Sequence, residues 1–201
     1  MERNPGDRLI GEIDHARWVL AQRFSPSRSP GPAWRRHSIR LLRVNHAGEV
    51  AAQALYRAQS LTTCHDPELT RQLVQAGEEE HRHLIWCGKR LAELGGRPSR
   101  LNPLWYGLAF LSGILAGVQG RSTSLGYIAE TEAQVESHLT DHLGRLPPED
   151  EDTRRILDRM RDEEAAHGAW ARAAGGGVLP TPVQRLMHWT SRALVYGSYL
   201  L

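Results

Sequence analysis

Glu80-His81-Arg82-His83 and Glu164-Ala165-Ala166-His167 are the two stretches that decide how this chain folds. Each holds a carboxylate and an imidazole at i and i+3, the spacing that puts both on one face of a helix. Each is also preceded by a glutamate at a matched distance. Glu49, in Asn45-His46-Ala47-Gly48-Glu49, lies 31 residues before Glu80, and Glu132, in Glu130-Thr131-Glu132-Ala133-Gln134-Val135-Glu136, lies 32 before Glu164. Glu49 to Glu132 is 83 residues and His83 to His167 is 84. The chain therefore reads as Glu … Glu-x-x-His, written twice.

The punctuation around these stretches predicts helices. A short amphipathic stretch from Asp7 to Arg23 is cut off by Pro26, Pro30, Gly31 and Pro32. A long helix is expected from about Arg35 to Ser60. A second starts at Pro67, with Asp66 as its N-cap, and stops at Gly95-Gly96. A third runs from about Ser122 to Leu143. A fourth begins in Glu149-Asp150-Glu151-Asp152, acidic residues suited to the positive end of a helix dipole, and ends at Gly175-Gly176-Gly177. A last amphipathic helix covers 183–201. Strand alternation is nearly absent. The expected fold is all-α: a four-helix bundle of two helical hairpins joined by a long apolar crossover, with extra N- and C-terminal helices. It is read as one domain over 1–201, in which 1–33 is the N-terminal amphipathic segment and its linker.

In an antiparallel hairpin, residues equidistant from the turn share a level. The midpoint between Glu49 and Glu80/His83 falls at the His65-Asp66-Pro67 turn, and that between Glu132 and Glu164/His167 at the Pro148-Glu149 break. Each hairpin thus brings three groups to one level, roughly 23 Å from its turn at a rise of 1.5 Å per residue. Four inward carboxylates repel one another and resist desolvation unless cations offset them. Two metal ions do so, and carboxylates with one imidazole per metal suit iron or manganese. A Glu from each of two helices with a Glu-x-x-His from each of the other two is the donor pattern of ferritin-like bundles. The expected ligands are Glu49, Glu80, His83, Glu132, Glu164 and His167.

Competing registers exist. Glu78-x-x-His81 overlaps the first motif, and Glu80/His83 is preferred because Leu84 and Trp86 then follow on an inward-leaning face. Glu130 and Glu136 compete with Glu132, which the repeat offset selects. Glu79 and Glu163 could hold the opposite histidine or simply be solvated. His138 could neighbour the site or merely pack. Cys87 reads as a small buried residue, and Trp86, Trp105, Tyr106 and Tyr127 as core.

Composition narrows the classes. The chain has 201 residues, 40% hydrophobic and 24% charged, enough for a core. A net charge of +2 does not advertise a nucleic-acid partner. Of 25 basic residues only Lys89 is lysine, and no arginine-rich run stands out. The two cysteines, Cys64 and Cys87, form neither a disulfide framework nor a thiolate zinc or iron–sulfur pattern. The charged N-terminal stretch leads into no apolar run, so no secretory signal is expected. Leu101 to Gly120 carries no charge, but Asn102, Pro103, Ser112, Gln119 and four glycines dilute it below a spanning helix. It reads either as a buried crossover or as an interfacial segment with Trp105 and Tyr106 at headgroup depth. Gly113-x-x-x-Gly117 is too common a pattern to argue dimerisation.

Longer runs of sequence are familiar. Leu42-Arg43-Val44-Asn45-His46-Ala47-Gly48-Glu49-Val50-Ala51-Ala52-Gln53-Ala54-Leu55-Tyr56-Arg57, the stretch Glu80 to Cys87, Leu101-Asn102-Pro103-Leu104-Trp105-Tyr106, Ser124 to Leu139 and Met160-Arg161-Asp162-Glu163-Glu164-x-x-His167 resemble the bacterial demethoxyubiquinone hydroxylases. The resemblance covers nearly the whole chain beyond about residue 38. It implies metal ligands at the same six positions, which selects the Glu80 register, and two iron ions. It implies a monooxygenase that uses O2 to hydroxylate the ring of 2-polyprenyl-3-methyl-6-methoxy-1,4-benzoquinol in ubiquinone biosynthesis. It further implies a peripheral protein on the cytoplasmic side of the inner membrane. One departure is Asn45, where the family often has Asp; if that residue orients a ligand, an amide can still do so.

The apolar segment 104–118 then becomes the contact with the membrane surface, where a polyprenyl substrate resides, and 183–201 a further candidate. With no Rossmann glycine fingerprint in the sequence, electrons are expected from an external donor. Association into a homo-oligomer is left open. Two other classes use the same residues. A ferritin-like iron-handling protein needs the ligands but not the apolar crossover. A purely structural helical membrane-associated protein leaves both Glu-x-x-His pairs on its surface.

Overall fold

The computed structural model describes residues 5–22, 32 and 34–201, with the side chains of 5–10 left aside. The linker around Pro26, Pro30 and Gly31 and the first four residues lie outside these. Seven helices are present among the described residues, and no strand: α1 (Pro5–Ala21), α2 (Arg35–Thr62), α3 (Pro67–Glu93), α4 (Asn102–Gly117), α5 (Arg121–Arg145), α6 (Glu151–Ala173) and α7 (Thr181–Leu200). Helices α2 and α3 form one hairpin, α5 and α6 the other, and α4 crosses between them along α2.

Local chemistry sets the boundaries. The Asp66 carboxylate accepts from the Leu69 amide at 3.0 Å and Pro67 opens α3. Asp150 accepts from the Thr153 amide at 3.3 Å and caps α6. Each cap also ties the hairpins together: Arg121 at the start of α5 donates to Asp66 at 2.7 Å, and Arg90 on α3 donates to the buried Asp150 at 2.7 Å. Gly95 (φ 81°) and Gly175 (φ 104°) take the left-handed backbone that stops α3 and α6.

Two apolar clusters fill the bundle on either side of a polar layer. One joins Leu41, Leu42, Cys87, Leu91, Leu139, Leu143, Leu157 and Met160. The other joins Tyr56, Leu69, Leu73, Leu125, Ile128, Ala129 and Ala171. On every bundle helix the polar residue lies between members of the two clusters. A fully buried Leu or Met contributes roughly 1.5–3 kcal/mol, and these clusters offset the cost of the charged layer between them.

Helix α4 seats on α2 through small residues. A Cβ on Gly113 would stand 2.8 Å from both the Leu55 carbonyl oxygen and the Ala58 Cβ, and one on Gly117 would collide with Thr62 Oγ1. The Gly-x-x-x-Gly pattern thus serves a contact inside the chain. Trp105 and Tyr106 are buried, and the Trp105 indole N–H donates to Ser198 of α7 at 3.0 Å. Of the two readings open for these aromatics, burial holds and placement at headgroup depth does not: both face the protein. What α4 and its C-cap leave outside is a stripe of Leu104, Leu108, Leu111, Leu115 and Val118, all exposed. Adjoining α7 exposes Leu186, Trp189, Tyr196 and Leu200. Among the described residues no helix is long and apolar enough to cross a membrane.

Helix α1 rests on this frame through the following contacts among the described residues. Val19 is buried with Val50, Ala54, Leu84 and Tyr106, and Arg57 makes a two-pronged ion pair with Glu12 at 2.6–2.9 Å. Trp18 stacks on His81 with ring centroids 4.3 Å apart.

Candidate metal centre

Helices α2, α3, α5 and α6 bring the six expected residues into the polar layer. Glu49, Glu80, His83, Glu132, Glu164 and His167 are each at most 8% exposed. Their donor atoms form two overlapping groups, Glu49/Glu80/His83/Glu164 and Glu80/Glu132/Glu164/His167, within each of which all atoms lie within 4.8 Å of one another. Glu80 and Glu164 belong to both. The competing residues point elsewhere. His81 is stacked on Trp18, Glu78 lines a surface cleft, Glu130 is held by Gln134 at 2.8 Å, and Glu136 is only partly buried. Leu84 is fully buried as the preferred register requires, whereas Trp86 is only partly so.

The repeat appears in space as reciprocal pairing. His83 of α3 sets Nδ1 against Glu164 of α6 at 3.0 Å and donates Nε2–H to Glu163 at 2.8 Å. His167 of α6 sets Nδ1 2.9 Å from Glu80 of α3 and donates Nε2–H to Glu79 at 2.8 Å. Glu79 and Glu163 therefore hold the opposite histidines and fix which nitrogen faces the interior. Arg159 steadies Glu163 from outside at 2.8 Å.

Electrostatics explain how this layer persists. Burial and the neighbouring Glu80 and Glu164 charges raise Glu49 well above the usual carboxylate range; burial, Glu164 and Glu80 do the same to Glu132. Burial also opposes ionisation of Glu80, but the imidazoles of His167 and His83, at 2.9 and 3.4 Å, outweigh it and hold this carboxylate well below its ordinary value. Burial disfavours charge on both imidazoles, yet their carboxylate partners push His83 and His167 far upward. Positive charge on the imidazoles can take the place of cations beside these carboxylates.

That substitution is incomplete. Glu49 Oε2, Glu80 Oε1, Glu164 Oε2 and His167 Nδ1 are buried without a hydrogen-bond partner. Glu80 Oε1 and His167 Nδ1 approach to 2.9 Å, but not at a hydrogen-bonding angle. Inward carboxylate and imidazole donors left unsatisfied, in two groups of four, fit two cations. Thiolate plays no part: Cys87 is buried 3.7 Å from Met160 Sδ in the apolar cluster.

Three side chains were not assigned these places by the sequence. Tyr56 is buried and donates its hydroxyl to Glu132 Oε1 at 2.7 Å. A cleft of about 320 Å³ between α1, α2 and α3 reaches this tyrosine, with His15, Gln53, Arg57, Glu78 and His81 also in its wall. Asn45 accepts from His142 Nδ1 of α5 at 2.7 Å rather than touching any of the six, so its departure from Asp falls on a helix–helix bond. His138 donates to, or accepts from, Ser191 of α7 at 2.8 Å and packs away from the centre.

A helical bundle with a Glu from each of two helices and a Glu-x-x-His from the other two has the architecture of the ferritin-like carboxylate proteins. Residues 36–198 match the family model described as ubiquinone biosynthesis protein COQ7, and the chain belongs to that family. It is 50% identical over 196 residues to the 3-demethoxyubiquinol 3-hydroxylase of Cupriavidus metallidurans, covering 98% of this chain and 87% of that protein. The protein of the same name from Polynucleobacter necessarius is 47% identical over 207 residues, covering 98% and 99%. That from Bordetella parapertussis is 47% identical over 208 residues, covering 98% and 93%.

Proposed function

We propose that the chain is a di-iron monooxygenase that hydroxylates the ring of demethoxyubiquinol, 2-polyprenyl-3-methyl-6-methoxy-1,4-benzoquinol, in ubiquinone biosynthesis. The observation that carries it is the pair of buried four-residue donor groups in a chain of this family. Glu49, Glu80, His83 and Glu164 would hold one iron, and Glu80, Glu132, Glu164 and His167 the other. Iron in these positions supplies O2 activation. In the overall reaction one oxygen atom of O2 replaces a ring hydrogen as hydroxyl and the other leaves as water. Two electrons and two protons come from an external donor.

The protein's own part is positional. Glu79 and Glu163 keep the Nδ1 atoms of His167 and His83 turned inward. The apolar clusters above and below the layer exclude bulk water, so carboxylates meet cations rather than solvent. The Leu104–Val118 stripe and the exposed face of α7 lie on the bilayer at the cytoplasmic side of the inner membrane. There, a polyprenyl tail stays in lipid while the ring enters the protein. An iron-storage role leaves that stripe unused, and a purely structural role leaves six buried donors unexplained.

The test pairs turnover with complementation. Iron-loaded protein with reductant and O2 should convert demethoxyubiquinol to the hydroxylated quinol, detected by mass. The wild-type gene, but not Glu164→Ala, should restore ubiquinone to cells lacking this step. No turnover, together with full complementation by Glu164→Ala, refutes the proposal.

A further inference from the structure

The two halves of the repeat are not equal, and one inequality lies in a hydroxyl. Tyr56 on α2 donates to Glu132 Oε1 at 2.7 Å and stands edge-on to His167, with ring centroids 6.4 Å apart. Both partners belong to the second donor group. The repeat offset of 83 that carries Glu49 onto Glu132 carries Tyr56 onto Leu139, which is fully buried and has no hydroxyl. Glu49 accordingly keeps a buried oxygen, Oε2, without a hydrogen-bond partner, while Glu132 has no such orphan among its oxygens.

We propose that Tyr56 is a positioning residue that makes the two metal positions unequal: the Glu49/His83 group takes the first cation tightly, and the Glu132/His167 group takes the second more weakly. A hydrogen bond donated to a carboxylate stabilises its charge and lowers its basicity, so Glu132 gives less to a cation. It also pins Oε1 to the tyrosine, which restricts how far this carboxylate can swing. Glu49 receives no such hydroxyl bond, and its buried, unsatisfied Oε2 is left to a cation. The inference rests on the metal reading above and adds an order of filling to it.

The experiment titrates Co(II) into the metal-free full-length chain, followed by calorimetry and by the visible bands of bound Co(II). Wild type should bind in two steps separated by tenfold or more. A hydrogen bond to a charged group changes an affinity by on the order of tenfold. Tyr56→Phe should therefore tighten the weak step by about that factor and leave the tight one unmoved. Glu49→Gln should delete the tight step, and Glu132→Gln the weak one. Unchanged or more widely separated steps in Tyr56→Phe, or a tight step that survives Glu49→Gln, overturn the inference while leaving the metal reading standing. Wild type that takes up no Co(II) overturns both. Cooperative unfolding of the metal-free Tyr56→Phe protein checks its fold; should it fail, the two glutamine variants decide alone.

Discussion

The seating of α4 on α2 supports a test in which one substitution has opposite effects at two points of a single helix. Gly113 and Gly107 both lie inside α4, six residues apart. At Gly113 a new Cβ would meet the Leu55 carbonyl oxygen and the Ala58 Cβ at 2.8 Å, about 0.6 Å inside ordinary contact at 3.4 Å. Neither obstacle is a flexible side chain, so the helices must part. Overpacking of this kind costs about 1–3 kcal/mol, against about 1 kcal/mol gained from replacing a helical glycine with alanine. At Gly107, which is exposed, nothing lies within 4 Å of the new Cβ, and only the gain remains. Gly113→Ala should therefore be neutral to about 2 kcal/mol less stable than wild type, and Gly107→Ala up to about 1 kcal/mol more stable. The separation between them should be about 1–3 kcal/mol. Urea unfolding of the metal-free protein followed by circular dichroism measures it, at constant m-value. Equal stability of the two variants refutes the close-approach reasoning, and with it the reading of Gly-x-x-x-Gly as an internal seat.

Two further outcomes are expected. His46 and His142 are buried, and loss of hydration lowers each imidazole to about 4 from 6.5. Between these values the unfolded chain holds a proton that the folded one refuses, so stability rises with pH across this window and is lost on acidification from about 6.5 toward 4. At pH 5 each should cost about 2 kcal/mol, and urea midpoints at pH 7.5 and 5.0 should show His142→Gln losing its share of the slope. Separately, Glu79→Ala should weaken Co(II) binding by about ten- to hundredfold by releasing His167. Glu79→Gln, whose amide oxygen still accepts the Nε2–H, should lose less, and equal losses in the two variants would show that only charge matters.

Much of this was legible in the chain because the constraints were local. Asp66-Pro67 and the acidic run at Asp150 announced helix starts by capping chemistry, and the structure places both caps there. The spacing of Glu49, Glu80, Glu132 and Glu164 converted to a shared level because helical rise is fixed. What stayed hidden depends on how helices face each other. Helix α4 is apolar on nearly every side, so no pattern told which side meets α2, although Trp105 and Tyr106 are buried as their reading as core requires. Tyr56 and Asn45 sit at helical positions whose partners, Glu132 and His142, lie 76 and 97 residues away on α5. No local spacing encodes such a pair. The break in the repeat at Leu139 was the one signal that could have singled out Tyr56.

The sharing of Glu80 and Glu164 between donor groups has a consequence for how the molecule holds together. The first hairpin contributes Glu49, Glu80 and His83 and borrows Glu164; the second contributes Glu132, Glu164 and His167 and borrows Glu80. Neither hairpin owns a complete set. Whatever cation fills either group is a rivet through both halves, and its affinity reports their docking rather than the helicity of either one. Function is thereby made conditional on tertiary assembly: a chain with well-formed helices and separated hairpins would keep all six donors and have no site.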